Sequence, residues 1–182
     1  MRASIITDET MLRRVSEPVV FDSKTRFLAA RVTQEAVGRL GADGNGGLAA
    51  PQIGMLNQLF YWRFAKSYQS RGTAPLSGIA CNPTVVDQSD DTSADWERCL
   101  SSPDFIVLAE RPNVITVEWA TPKGVWHTTT LSGICARLWS HEIDHLNGVL
   151  SIDHQPPGQE PVKIGTSEQQ LAQSQAFLNG RG

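Results

Sequence analysis

The chain has 182 residues, a formal net charge of −3 and 19% charged residues. We expect a single domain over residues 1–182, with residues 155–182 as a tail or short terminal helix, because this length supports one substantial hydrophobic core. The charge balance gives no basic patch for a nucleic acid. No apolar run approaches the ~20 residues of a membrane span, and the first residues lack the apolar segment of a secretory signal peptide.

The cysteine content indicates a reducing compartment. The three cysteines, Cys81, Cys99 and Cys135, are odd in number and widely spaced. This pattern argues against a disulfide framework, so we expect a cytoplasmic protein.

The first half of the chain predicts one helix followed by a loop. Asp22 or Ser23 can cap a helix that ends at Gly41. The apolar side of this helix consists of Leu28, Val32, Ala36 and Leu40. A glycine-rich loop, GADGNGG, follows it, and Pro51 in LAAPQIG opposes a helix there.

The middle of the chain predicts strands. The runs 58–64 and 79–86 are rich in aromatic and β-branched residues and are predicted as strands. A polar loop over 66–77 separates them, and an acidic turn region follows over 88–94.

A hairpin and a second helix are predicted next. The runs 113–119 and 125–131 flank the turn sequence TPKG, which favours a β-hairpin. Ser132 can then cap a helix that reaches Asn147 and stops at Gly148. Strands grouped around this helix predict an α+β domain, with small antiparallel or mixed sheets packed around it.

The second helix carries a possible metal site in the sequence SHEIDHLNGVL. His141 and His145 lie four residues apart, so both imidazoles point the same way on a helix and can reach one ion. They continue the apolar stripe of Ile134 and Leu138, which faces the core and makes unpartnered polar groups costly there. A catalytic metal ion usually takes three protein ligands, so a third ligand is required.

The residues alone leave the third ligand open. Ser151 stands where one large class of zinc proteases has a third histidine, and another class uses a glutamate from a later helix. A thiolate would also bind a soft divalent ion, although many free cysteines are only small buried apolar residues. The alternatives are therefore His154, Glu160, Glu168 and Cys99.

Three separated segments together resemble the peptide deformylase family. They are GGLAAPQIG at 46–54, ERCLSS at 97–102 and HEIDH at 141–145, in the order that the family has them. The resemblance covers most of the chain and implies that Cys99 is the third ligand beside His141 and His145.

The resemblance also implies the activity. Members of this family remove the formyl group from N-formylmethionine at the start of nascent chains, and formate is released. By resemblance the cofactor is one divalent metal ion, Fe²⁺ by preference, with Ni²⁺ or Zn²⁺ able to replace it. Glu142 would act as the general acid and base. We expect a monomer whose partners are N-formylated peptides and, during translation, the ribosome.

Further roles follow from the same resemblance. The side-chain amide of Gln52 and the backbone N–H of Leu100 would stabilise the oxyanion that forms on the formyl group. Gly46 and Gly47 would let an extended substrate approach the backbone closely, and the substrate would also pair with residue 98.

The side-chain pocket and one ion pair are further expectations. Ile134, Arg137 and Leu138 would line the pocket for the substrate side chain, because they lie one to two turns before His141. Asp144 points away from the metal by helical phase and would pair with Arg111 or with Arg137.

The chain departs from the family pattern at several positions, and we expect these to cluster along the substrate. They are Arg98, which replaces a glycine, Asn45, Ser102 and Asp104. An alternative is therefore the same deformylation on another N-formyl amide, such as an intermediate of specialised metabolism. A non-enzymatic binding protein is a third hypothesis, which the intact set of metal and acid–base residues disfavours.

Overall fold

The computed structural model describes residues 2–40, 45–65 and 76–164. The helices in these ranges are α1 (Glu9–Leu12), α2 (Ser23–Val37) and α3 (Ile134–Leu146). The strands are β1 (Gly46–Ala49), β2 (Leu59–Arg63), β3 (Ser77–Gln88), β4 (Thr92–Cys99), β5 (Ser102–Pro112), β6 (Val114–Ala120), β7 (Trp126–Ser132) and β8 (Val162–Lys163). Two short 3-10 helices cover Ala50–Ile53 and Ser151–His154.

The strands form two antiparallel sheets. The larger sheet has the order β1-β2-β3-β6-β7, and the smaller one has the order β4-β5-β8. Within the described ranges β1 and β4 are therefore edge strands, and one edge of each forms no ladder with another strand. The predicted α+β class, with antiparallel sheets around the HEIDH helix, is confirmed.

Strand alternation places one helix on each face of the larger sheet. Along β2, Phe60 and Trp62 point to the face that packs against α3, whereas Leu59 and Tyr61 point to the face that packs against α2. Trp139 of α3 lies at the centre of the first face. Its ring makes edge-to-face contacts with Phe60 at 5.1 Å and Trp62 at 4.9 Å between centroids.

The prediction for α2 is correct at its start and wrong at its end. The Asp22 side chain accepts a hydrogen bond from Thr25 N at 2.9 Å, which confirms this residue as the N-cap. The helix ends at Val37 and Gly38 caps it. The α-helical pattern breaks at Arg39, whose N–H bonds to Ala36 O three residues back and not to the carbonyl four residues back. The predicted stop at Gly41 lies outside the described residues.

The predicted cap of α3 is also wrong. Ser132 belongs to β7, where it pairs with Val114, and the N-cap is Gly133. Gly133 has φ 56° and ψ −130°, and this sharp change from strand to helix uses a backbone conformation that glycine adopts without strain. The predicted end is confirmed, since Asn147 caps the helix and Gly148 follows in a left-handed conformation.

The predicted strands over 58–64 and 79–86 and the hairpin around TPKG are confirmed as β2, β3, β6 and β7. The acidic turn predicted over 88–94 is shorter in the structure, where residues 89–91 connect β3 to β4. Most of the predicted loop over 66–77 lies outside the described residues, and so do residues 165–182 of the predicted tail or terminal helix. The described part of that tail, residues 155–164, contains strand β8 and no helix.

The glycine-rich segment differs from its prediction. Gly46–Ala49 form strand β1 and not a loop, and Pro51 lies inside a 3-10 helix. Proline is tolerated there because the first turn of a helix needs no N–H from it. Strands β4 and β5 were not predicted, because both carry charged residues at buried as well as exposed positions. The buried ones are Glu97 and Arg111, and the exposed ones include Arg98 and Glu110.

In the described ranges no helix is both long and apolar enough to cross a membrane.

Gly148 lies close to the backbone of Arg13, the residue that caps the end of α1. A Cβ at Gly148 would lie 2.2 Å from Arg13 O, whereas a Cβ at Gly158 would meet nothing within 4 Å; both glycines have positive φ. Gly158→Ala should lower the free energy of unfolding by about 1–2 kcal/mol, because alanine is strained in the left-handed backbone conformation. Gly148→Ala should lower the free energy of unfolding by roughly 1–3 kcal/mol more than Gly158→Ala does, since the backbone of residue 13 must also move. Urea unfolding of both variants measures this, and equal destabilisation would contradict it.

Candidate metal centre

Three side chains from two elements form a group that fits one metal ion. Cys99 at the end of β4 meets His141 and His145 of α3, and their ligand atoms all lie within 4.8 Å of one another. Cys99 Sγ is 3.2 Å from His145 Nε2. The register of β4 shifts between Arg98 and Cys99, and this irregularity directs the thiol toward the helix.

The donor set suits a soft divalent ion, because it combines a sulfur with two imidazole nitrogens. Burial alone would raise the pKa of the Cys99 thiol, but His145 and His141 beside it lower that pKa well below its usual value. The competing ligands are elsewhere: His154 Nε2 lies 2.8 Å from Asp144 Oδ2, and Glu160 is exposed. Glu168 lies outside the described residues.

The buried carboxylate of Glu97 contacts the metal ligand His141 and the side chains around it. Its Oε1 accepts hydrogen bonds from Arg111 Nε at 2.5 Å and Arg137 Nη1 at 3.0 Å. Its Oε2 accepts from Arg111 Nη2 at 2.9 Å and Ser151 Oγ at 2.8 Å, and lies 2.9 Å from His141 Nδ1. Burial would raise the pKa of Glu97, but its bonds with His141 and Arg111 hold it well below its usual value.

The ionised Glu97 fixes the tautomer of His141. A carboxylate only accepts hydrogen bonds, so the His141 Nδ1 beside it must carry the proton. The Nε2 atom of His141 is then left as the metal-binding nitrogen, which is the usual arrangement of a histidine ligand held by a carboxylate.

Glu97 was not predicted as a site residue, although its spacing from Cys99 in the sequence is a signal for it. Glu97 lies two residues before Cys99, and on a strand such residues share a face. The predicted partner of Asp144 is confirmed as Arg111, at 2.6 Å between Nη1 and Oδ2. Arg137, the other candidate partner, binds Glu97 and backbone carbonyls instead.

Glu142 lies beside the metal ligands in an unusual environment. The side chain is 4% exposed, and Oε2 has no hydrogen-bond partner among the described residues. Burial raises the pKa of Glu142 to about 7. A Cβ on Gly47 would lie 2.2 Å from Glu142 Oε1, so the glycine at this position makes room for the carboxylate.

Gln52 is held with its amide N–H groups toward the centre. Its Oε1 accepts a hydrogen bond from Ala49 N at 2.8 Å, and its Nε2 lies 3.3 Å from both Cys99 Sγ and Ser101 Oγ. The 3-10 helix at Ala50–Ile53 brings this side chain back over the end of β1.

A cavity of about 410 Å³ opens next to the metal ligands. One wall comes from edge strand β1 and the other from edge strand β4, and α3 forms the base. All the predicted substrate-facing residues line it, namely Gly46, Gly47, Arg98, Ile134, Arg137 and Leu138, as do Gln52, Leu100 and Asn45.

The lining corrects one expectation and refines another, since Arg137 lines the cavity as predicted but its charge is bound elsewhere. Ser102 and Asp104 do not line this cavity, so these departures from the family pattern do not lie along it; Ser102 faces a second, smaller cavity. The guanidinium of Arg137 is bonded inside the protein to Glu97 and to the carbonyl of Ala109. This charge is therefore unavailable to a ligand in the larger cavity.

Comparison with known proteins places these features in one family. Residues 3–160 match the model of the family described as polypeptide deformylase. The peptide deformylase of Rhizobium meliloti (strain 1021) is 38% identical over 151 residues, which are 82% of this chain and 82% of that protein.

Solved structures agree with the sequence comparison. The peptide deformylase from Thermotoga maritima superposes with a TM-score of 0.71 and 31% identity, covering 86% of this chain and 97% of that one. The class I type b peptide deformylase from Acinetobacter baumannii, solved with Met-Ala-Ser bound, gives a TM-score of 0.72 and 25% identity over 85% and 98% of the chains. The chain therefore belongs to the peptide deformylase family, a family of metal-dependent hydrolases.

Proposed function

We propose that this hydrolase removes the formyl group from formylmethionyl peptides and releases formate and a free amine. The observation that carries the proposal is the group of Cys99, His141 and His145 beside the buried Glu142, in a cavity between two sheet edges. Oε2 of Glu142 has no hydrogen-bond partner among the described residues. The relative solved with Met-Ala-Ser supports it, since deformylation of the corresponding formyl peptide would leave this sequence.

Cys99, His141 and His145 would hold one divalent metal ion. When bound, such an ion supplies the Lewis acidity that makes water reactive near neutral pH. We assign Fe²⁺ as the native ion, with Ni²⁺ or Zn²⁺ as substitutes, on the resemblance to the family. The donor set supports a soft ion of this group without distinguishing among them.

Glu142 would move the protons of the reaction. It takes a proton from the attacking water and later gives it to the amine that leaves. A carboxyl group with a pKa near 7 is suited to both steps, because it exchanges protons readily at neutral pH. Gly47 leaves room for this carboxylate, because a Cβ at that position would lie 2.2 Å from Glu142 Oε1.

Gln52 and Leu100 would stabilise the negative charge that develops on the formyl oxygen. The Gln52 Nε2 group is aimed at the Cys99 side of the cavity because its Oε1 is held by Ala49 N. The backbone N–H of Leu100 would supply a second donor from the turn after β4. Fixed donors of this kind need no rearrangement during the reaction.

The substrate would bind as an added strand between β1 and β4. Each strand lines the cavity with an edge that no other described strand pairs with, so the main chain of an extended peptide can bond to both. The methionine side chain would then lie against Ile134 and Leu138 on α3. Arg137 would contribute to this pocket only by packing, since its guanidinium binds Glu97.

The wider setting follows from this substrate. We propose that the chain is one catalytic domain that acts as a monomer in the cytoplasm, where formylated nascent chains leave the ribosome. The formylated amino terminus is the group recognised, and the net charge of −3 is not that of a nucleic-acid-binding domain.

The first prediction concerns metal binding. Cys99→Ala should lose most of the bound metal and nearly all activity, because two histidines alone are fewer protein ligands than a catalytic metal ion usually takes. Metal content per chain, measured after purification without air, checks this. Cys135→Ala, outside the ligand group, should keep its metal. Full metal content in Cys99→Ala would mean that another residue is the third ligand.

The second prediction separates Glu142 from the ligands. Glu142→Gln keeps the shape of the side chain but removes the base, so metal should stay bound while kcat falls by about 10² or more. Metal analysis and turnover of a formylmethionyl peptide measure the two effects. Unchanged kcat would assign the proton transfer to another group.

The third prediction tests the contact between Gly47 and Glu142. Gly47→Ala should lower kcat strongly without unfolding the protein, because the new methyl group displaces the Glu142 carboxylate. Gly46→Ala is the matched comparison, since its methyl group meets only the flexible end of Leu40 at 3.0 Å. The loss of kcat should be much smaller there. Equal losses in the two variants would show that close substrate approach, and not room for Glu142, explains both glycines.

A further inference from the structure

Arg98 has an unusual position among the charged residues of the cavity. The other charged groups of the lining have partners or a role in the chemistry: Glu97 and Arg137 bind each other, and Glu142 lies at the reaction centre. Arg98 is exposed and lines the cavity, and its guanidinium forms no ion pair with the described residues. One cationic side chain therefore stands uncompensated at the cavity wall.

The strand geometry directs this side chain away from the metal ligands. Along β4, Glu97 is buried whereas its neighbour Arg98 is exposed, so the Arg98 side chain points to the face opposite that of Glu97. Its partner across the sheet, Ile106 of β5, carries no charge. The Arg98 side chain is therefore exposed at the cavity wall, where it can meet a substrate side chain that points away from the metal ligands. Its backbone lies on the edge of β4 that no other described strand pairs with.

The distance along the strand indicates which part of a substrate it meets. Residue 98 directly precedes the metal ligand Cys99, and a strand rises about 3.3 Å per residue. If the formyl group of an extended peptide lies at Cys99, the methionine and the one or two residues after it would lie beside Arg98. The Arg98 side chain is long enough to reach side chains that follow the methionine.

We propose that Arg98 is a specificity-determining residue that makes the enzyme prefer formyl peptides with a carboxylate in the first two residues after the methionine. This inference rests on the proposed function. A guanidinium binds a carboxylate with two parallel hydrogen bonds, which adds geometric selectivity to charge attraction. Because the site is exposed, the preference is limited to about three- to tenfold in kcat/KM.

The test uses amidated formyl peptides that differ only in one charge. Formyl-Met-Asp-Ala-amide is compared with formyl-Met-Asn-Ala-amide, and formyl-Met-Ala-Asp-amide with formyl-Met-Ala-Asn-amide. Asp and Asn have nearly the same shape, so the ratio of kcat/KM within a pair reports charge alone. We expect a ratio above three for at least one pair, and we expect it to shrink at 1 M salt because ions screen exposed charges.

Three variants connect this ratio to Arg98. Arg98→Gln should reduce the ratio to about one, and Arg98→Lys should restore part of it, because lysine keeps the charge without the bidentate geometry. Arg14→Gln removes the same charge from an exposed position outside the cavity, so it should keep the wild-type ratio.

The outcomes separate this inference from the proposed function. If the peptides are deformylated and the ratio is one in the wild type, or is unchanged in Arg98→Gln, the specificity role is wrong and the function stands. If the metal-loaded enzyme deformylates none of the peptides, the proposed function itself is wrong.

Discussion

The arrangement of the active site depends on the buried charge of Glu97. This carboxylate receives hydrogen bonds from two arginines, Arg111 on β5 and Arg137 on α3, and from Ser151. Burying an ion is costly unless partners compensate it, and the loss of one partner of such a pair typically costs about 3–5 kcal/mol. The smaller sheet is thereby fixed to α3 in one orientation, in which Cys99 meets the two histidines and His141 presents its Nε2.

The cavity is a consequence of how the two sheets end. Edge strands with unpaired backbone groups usually invite aggregation, and proteins cover or interrupt them. Here the edges of β1 and β4 line the same cavity, so they are suited to take up an extended peptide. Gly47 serves a second purpose on this edge, since the absence of a side chain admits the Glu142 carboxylate.

Local sequence patterns predicted those features that depend on neighbouring residues. The spacing of His141 and His145 fixes their common direction, because the helical period acts within one turn. The Asp22 cap, the hairpin around TPKG and the end of α3 at Gly148 were predicted for the same reason. The outer strand β4 was missed because its alternation places charged residues at both exposed and buried positions.

The sequence by itself determined that the two histidines share one helix face, that the glutamate lies between them and that the fold is α+β. The residue types alone left the third metal ligand open. Only the tertiary structure decided which residues complete the site. Cys99 is separated by 46 positions from His145, and Glu97 by 44 from His141. Side chains so far apart in sequence are brought together by sheet pairing and core packing, which no local period encodes. The same packing decided that Arg137 binds Glu97, whereas Arg98 is exposed at the wall of the cavity.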